Sequence, residues 1–206
     1  MPVYYYTREI AAERLNFPLH QPKFMQTVQL HDLTFEPIIS PEEIAGKIRE
    51  IAAAISKDYA GKRPLFLGIL NGAFIFAADL VRACNIPCEI SFIRLASYHH
   101  LTSSGDVQTV IGLKEDVKGR HVILVEDIVD SGRTMHYFLP DLKKLEPASI
   151  ALATLLEKPA AHEFPVSIDY KCFEIPPDFV VGYGLDYDGL GRNLPGLYQL
   201  VEAGSL

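Results

Sequence analysis

Val122-Ile123-Leu124-Val125 is a run of four apolar residues with no polar alternation. A strand with one wet face alternates, so a strand like this one must be covered on both faces, as helices cover a parallel α/β sheet. Apolar runs of strand length recur at residues 65–70, 90–95 and 150–156, separated by helical or loop segments. The expected fold class is therefore α/β, a parallel twisted sheet flanked by helices. A chain of 206 residues, 49% of them hydrophobic, suits one such core with a small attachment.

Ser40-Pro41-Glu42-Glu43 reads as a helix start, with a capping serine, proline at the first helical position, and a glutamate placed to reach back. Ile44, Ile48, Ile51, Ala52, Ile55 and Tyr59 follow at three- and four-residue steps, which puts them on one helical face. A further helix is expected over residues 132–145. Pro140 within it is expected to kink or end it, because proline lacks an N–H and crowds the preceding turn.

The formal charge of −7 opposes broad nucleic-acid binding, which needs a basic face to displace counterions. A small anion would have to be held by a few placed cations, helix-start amides and metal ions. The start Met1-Pro2-Val3-Tyr4-Tyr5-Tyr6 lacks the form of a signal peptide, and no stretch approaches the roughly 20 apolar residues of a membrane helix. The expectation is a cytoplasmic chain without a membrane partner. Cys84, Cys88 and Cys172 are odd in number and lack C-x-x-C spacing, so they read as reduced core thiols.

Chemistry concentrates in Glu126-Asp127-Ile128-Val129-Asp130-Ser131-Gly132-Arg133-Thr134. Two carboxylates stand near the carboxyl end of the buried strand, where open α/β sheets place ligands, and a Ser-Gly-Arg-Thr turn then opens a helix. Free amides there, the permissive Gly132 and the hydroxyls of Ser131 and Thr134 can wrap a phosphate, while Glu126 and Asp127 suit sugar hydroxyls. Each acidic residue taken singly also suits a helix cap or a solvated loop. No G-x-x-x-x-G-K-[ST] is present, which disfavours a P-loop nucleotidase, and no G-x-G-x-x-G follows a predicted strand, which disfavours a redox nucleotide module.

This string resembles the phosphoribosyl pyrophosphate (PRPP) motif of the phosphoribosyltransferase family. A second constellation, Leu156-Glu157-Lys158-Pro159, then 173–187 with Phe179-Val180-Val181-Gly182-Tyr183-Gly184-Leu185-Asp186, then Arg192, is similar to the hypoxanthine-guanine phosphoribosyltransferases, over roughly residues 32–202. The resemblance implies transfer of phosphoribosyl from PRPP to a 6-oxopurine. Glu126 and Asp127 would hold the ribose, residues 130–134 the 5-phosphate, and Asp130 would be the base that takes the purine proton. Lys158 would donate to the 6-oxygen, Phe179 would stack on the base and the Val180 carbonyl would read its edge. Magnesium would be the cofactor, coordinated by Asp186 with Glu126 and Asp127 nearby, and Arg192 would contact pyrophosphate. Read alone, Lys158 is an ordinary surface lysine, Asp186 a turn residue and Arg192 half of a surface ion pair.

Leu70-Asn71-Gly72 resembles the family's pyrophosphate loop, with a cis Leu70-Asn71 peptide as an expectation. Many relatives carry lysine where this chain has Asn71, so a charged contact is absent. Arg94 either faces pyrophosphate or pairs with a carboxylate. Ser97 and Tyr98 match the family's lid, which would exclude water, and His99 and His100 read as solvated loop residues. The expected organisation is an amino-terminal segment 1–36 packing on the hood or a subunit interface, a core 37–164, and a purine-binding hood 165–206. The family's habit implies a homodimer or homotetramer. The rival on the same fold is a PRPP-sensing regulator acting on nucleic acid, which the acidic charge opposes.

Overall fold

The computed structural model describes residues 26–95, 109–111, 113 and 115–201. The expectations for residues 1–25 and for the lid pair Ser97 and Tyr98 lie outside the described residues. The elements in chain order are β1 (Val28–Leu30), β2 (Leu33–Ile39), α1 (Pro41–Asp58), β3 (Leu65–Leu70), α2 (Phe74–Ala83), β4 (Glu89–Leu95) and β5 (Thr109–Ile111). They continue with β6 (His121–Val129), α3 (Arg133–Lys144), β7 (Ser149–Glu157), β8 (Tyr170–Glu174), β9 (Val180–Val181) and β10 (Leu197–Leu200).

The larger sheet has the order β5-β4-β3-β6-β7-β8. Its strands from β4 to β8 run parallel, and β5 joins β4 antiparallel at the edge. β6 lies inside the sheet, and its side chains are divided between two cores. Ile123 and Val125 pack with Ile44, Ile48 and Ile55 of α1 and Phe76 and Leu80 of α2. Val122 and Leu124 pack with Met135, Phe138 and Leu142 of α3. Successive strand residues point to opposite faces, so covering both faces demands the unbroken apolar run that opens the sequence argument.

The start of α1 is capped as its sequence requires. The Glu43 amide donates to Ser40 Oγ at 3.2 Å, and the Ser40 amide donates to Glu43 Oε2 at 2.8 Å. Pro140 departs from expectation, since α3 continues through it to Lys144. The proline is exposed, so the His136 carbonyl that it fails to bond can meet water, and the buried Met135, Phe138 and Leu142 hold the helix on the sheet across the gap.

The smaller sheet, in the order β1-β2-β10-β9, combines both ends of the described chain. β2 spans residues 33–39, so the amino-terminal segment enters this sheet and crosses the boundary expected at 36. β8, by contrast, pairs with β7 in the larger sheet, so the stretch expected as hood from residue 165 contributes to both sheets. β8 takes up the backbone groups on the outer edge of β7, and Cys172 and Phe173 add to the core under α1 and α2. Leu185 and Leu197 join the core under α1 and α2 and fasten the smaller sheet to the larger. No helix among the described residues is long and apolar enough to cross a membrane.

Removing the hydroxyl by Ser40→Ala should lower the unfolding free energy by about 1 kcal/mol, read from urea denaturation, because one helix-start donor then loses its acceptor.

Candidate functional site

β6 ends in a turn whose shape depends on one glycine. Gly132 has φ +77° and caps α3, and a Cβ placed on it would lie 2.6 Å from the Phe164 carbonyl oxygen. No residue with a side chain fits there without displacing that backbone. The stretch at Phe164 is itself fixed on the turn, because the Glu163 and Phe164 amides both donate to the Ser131 carbonyl, at 3.0 and 3.1 Å. Beyond Gly132 the first turn of α3 presents amides that have no intrahelical acceptor. Residues 126–135 line a cleft of about 240 Å³ over this turn. An open cleft with a helix start at its floor is an anion site in chemical terms.

The other half of the cleft is acidic. Glu126 is buried, and its Oε2 has no hydrogen-bond partner. Burial first, and the neighbouring Asp127 second, hold its carboxyl well above the usual range. Burial also pushes Asp127 up, to about 6, against the opposing effects of the Ile128 amide, its own amide and the nearby Arg192. Sugar hydroxyls donating to these oxygens would supply what the free protein lacks.

Lys158 comes to this cleft from the end of β7. It is 6% exposed, and its Nζ donates to Asp130 Oδ2 at 2.9 Å. Its amide bonds the Val129 carbonyl, also at 2.9 Å, which ties the two strand ends together. The lysine expected on the base and the aspartate expected to take its proton are thus neighbours. Phe179 is 43% exposed and packs against Phe35 of β2 and Tyr187, with ring centroids 6.0 and 5.9 Å away. Val180 is buried in β9.

The 70–72 loop lies against Asp127. The Leu70-Asn71 peptide is cis. A Cβ on Gly72 would fall 1.4 Å from Asp127 Oδ2, and one on Gly184 would fall 2.0 Å from the Gly72 carbonyl oxygen. Asp127, Gly72 and Gly184 are therefore stacked in direct contact. Next to them Arg192 Nη2 lies 2.5 Å from Asp186 Oδ1, and its Nη1 donates to the Gly184 carbonyl at 2.6 Å. Arg94 is exposed and sits opposite Leu70 in the sheet. Arg133 turns outward to Glu163 at 2.8 Å, leaving its backbone to serve the turn.

Among the described residues, no three His, Cys, Asp or Glu side chains are gathered to hold a metal ion. Magnesium commonly takes one or two carboxylates and completes its shell with water and substrate phosphate oxygens. Carboxylates of Glu126, Asp127 and Asp186 suit an ion that arrives with its substrate, and the unpartnered Glu126 Oε2 marks unused acceptor capacity.

Other groups here gave no signal in the sequence reading. Lys171 bridges Glu157 and Glu174, and His162 Nε2 lies 3.6 Å from Glu157 Oε1, beside Lys158 in sequence. His136 stacks on Phe164 at 4.4 Å. Tyr183 donates to Asp79 Oδ2. The last two contacts join segments distant in sequence, so local spacing does not reveal them.

Residues 39–188 match the model of the phosphoribosyl transferase domain. The chain is 43% identical over 166 residues to the hypoxanthine-guanine phosphoribosyltransferase of Streptococcus pneumoniae, covering 80% of this chain and 92% of that protein. This chain belongs to the hypoxanthine-guanine phosphoribosyltransferase family. Solved structures agree with the sequence relationship. The hypoxanthine phosphoribosyltransferase of Trypanosoma cruzi superposes with a TM-score of 0.77 at 36% identity, over 84% of this chain and 95% of that one. A hypoxanthine-guanine phosphoribosyltransferase from Bacillus anthracis gives 0.75 at 34% identity, over 80% and 96%. In this phosphoribosyltransferase the 70–72 loop, the 130–134 turn and Lys158 all lie at the carboxyl ends of the neighbouring parallel strands β3, β6 and β7.

Burial raises the Asp127 carboxyl above its value in an unfolded chain, so the folded form binds this proton more tightly. The associated stability is present below the ordinary value of 3.8 and is lost as pH rises through about 6. Asp127→Asn should therefore raise the Tm of the ligand-free protein by about 3 °C at pH 8, a gain that shrinks towards zero between pH 6 and pH 4 in thermal melts.

Proposed function

We propose that the cleft binds PRPP and a 6-oxopurine side by side and transfers the phosphoribosyl group to the base, with release of pyrophosphate. The observation that carries this reading is the contact between Lys158 and Asp130 at the rim of the phosphate turn. On a 6-oxopurine the 6-oxygen and the adjacent ring N7 lie on one edge. A donor and an acceptor 2.9 Å apart can address both atoms, with the ammonium on the oxygen and the carboxylate on the N7 proton.

The steps follow from the groups present. The turn at 130–134 receives the 5-phosphate on backbone amides and hydroxyls, and Glu126 and Asp127 accept from the ribose hydroxyls. Phe179 offers an apolar face to the flat base, and Val180 reads its edge through the backbone. Lys158 leaves Asp130 for the 6-oxygen, which frees Asp130 to take the ring proton as a purine nitrogen attacks C1 of the ribose. Pyrophosphate departs towards the 70–72 loop, Arg94 and Arg192, and Asp186 is released from Arg192 as that guanidinium turns to phosphate oxygens. Asp186, with Glu126 and Asp127 beside it, would hold magnesium, which when bound offsets charge on the leaving group. An ammonium donor also disfavours adenine, whose 6-amino group would present another donor to it. Homodimers or homotetramers are part of the same reading.

Incubation with PRPP, magnesium and hypoxanthine should yield inosine monophosphate, and lack of product would sink the proposal. Asp130→Ala should lower kcat by about 10²- to 10⁴-fold. Lys158→Gln should raise KM for hypoxanthine by at least about tenfold and narrow the preference over adenine. Steady-state rates with hypoxanthine, guanine and xanthine rank the three bases.

A further inference from the structure

The segment that carries Asp186 and Arg192 has an unusual backbone. Gly182, Tyr183 and Gly184 have φ values of +102°, +47° and +108° in succession. Glycine adopts such angles freely, but a residue with a bulky side chain rarely does. Tyr183 must be held there by contacts that outweigh the cost of such a backbone conformation. Its amide donates to the Leu194 carbonyl at 2.9 Å, and the residue is 8% exposed. Its hydroxyl donates to Asp79 Oδ2 at 2.6 Å, across 104 positions of sequence.

Asp79 belongs to α2, the helix that follows the 70–72 loop directly. Its other oxygen, Oδ1, accepts from Arg82 Nη1 at 3.3 Å on the same helix, so the carboxylate is oriented from both sides. Burial, followed by the Asp79 carboxylate, keeps the Tyr183 hydroxyl protonated and therefore a donor. One residue further on, Gly184 rests on the Gly72 carbonyl oxygen, and Arg192 closes on the Gly184 carbonyl. The 182–192 hairpin thus meets the unit of 70–72 loop and α2 at two places, one a close glycine contact and the other a charged hydrogen bond.

We infer that Tyr183 and Asp79 are a positioning pair for the pyrophosphate half of the site: their hydrogen bond sets the hairpin bearing Asp186 and Arg192 at its working distance from the 70–72 loop. The inference rests on the reading above that loop and hairpin flank pyrophosphate. Neither residue touches the reacting atoms. A glycine contact limits how near the two segments come but does not stop them separating, whereas the hydrogen bond opposes separation. Loss of the bond should therefore weaken the ligand that spans the gap and leave the base pocket alone.

Tyr183→Phe keeps the ring and removes the donor. In full-length enzyme, KM for PRPP in the forward reaction and for pyrophosphate in the reverse reaction should rise about tenfold, equivalent to about 1.4 kcal/mol. KM for hypoxanthine should stay within about twofold, as should kcat. Asp79→Ala should reproduce this pattern. Asp79→Asn, which retains an acceptor, should restore most of the affinity, and the Tyr183→Phe/Asp79→Ala double variant should be no worse than either single one. Titration with pyrophosphate and magnesium by calorimetry should rank the variants in the same order. Unmoved KM values for PRPP and pyrophosphate in an active Tyr183→Phe enzyme would overturn the inference alone, and so would an equal rise in all three KM values. If Tyr183→Phe does not fold, the comparison of Asp79→Ala with Asp79→Asn decides by the same criteria. A wild-type chain that forms no inosine monophosphate would overturn the parent reading and this inference with it.

Discussion

Asp127 and Gly72 are packed so closely that even a methyl group on the glycine would overlap the carboxylate, and Gly184 bears on the other side of Gly72 in the same way. This stack joins three segments that sequence alone leaves unrelated: the end of β6, the loop after β3 and the 182–192 hairpin. The glycines set how near these segments can come to one another, and the hydrogen bond from Tyr183 to Asp79 opposes their separation.

The protein carries a net charge of −7, and its cleft holds buried acids, yet the ligands it is read to take are anions. Backbone supplies the resolution. In the proposed reading the amides at the start of α3, which cannot be deprotonated or swung away, take the phosphate, and Glu126 and Asp127 take the groups that donate hydrogen bonds. Positive side chains are spent sparingly. Lys158 and Arg192 each rest on a carboxylate in the free protein, at 2.9 and 2.5 Å, so neither is left as a bare buried charge before substrate arrives.

Much of this was legible in the residues. The unbroken run at 122–125 announced a strand with two covered faces, and Ile123 and Val125 do face a different core from Val122 and Leu124. The capping box at Ser40 and Glu43 is a local pattern with a local cause, and it formed as read. Pro140 misled because its cost is local whereas the burial of Phe138 and Leu142 that outweighs it is tertiary. The assignment of β8 to the larger sheet and the bond between Asp79 and Tyr183 were illegible for a related reason. Both depend on which distant segment lies alongside, and no spacing within either segment encodes that.

The smaller sheet pairs Leu33–Ile39 with Leu197–Leu200, segments at opposite ends of the described chain. A ribosome delivers the first long before the second, so β2 has only β1 to pair with until β10 has emerged. The turn from β6 into α3 needs no such delay, since its parts are contiguous. Loop-closure entropy favours the same order in refolding, with near contacts forming first and the joining of the termini last. The turn from β6 into α3 therefore takes shape early, and the aromatic contact of Phe35 with Phe179 forms late.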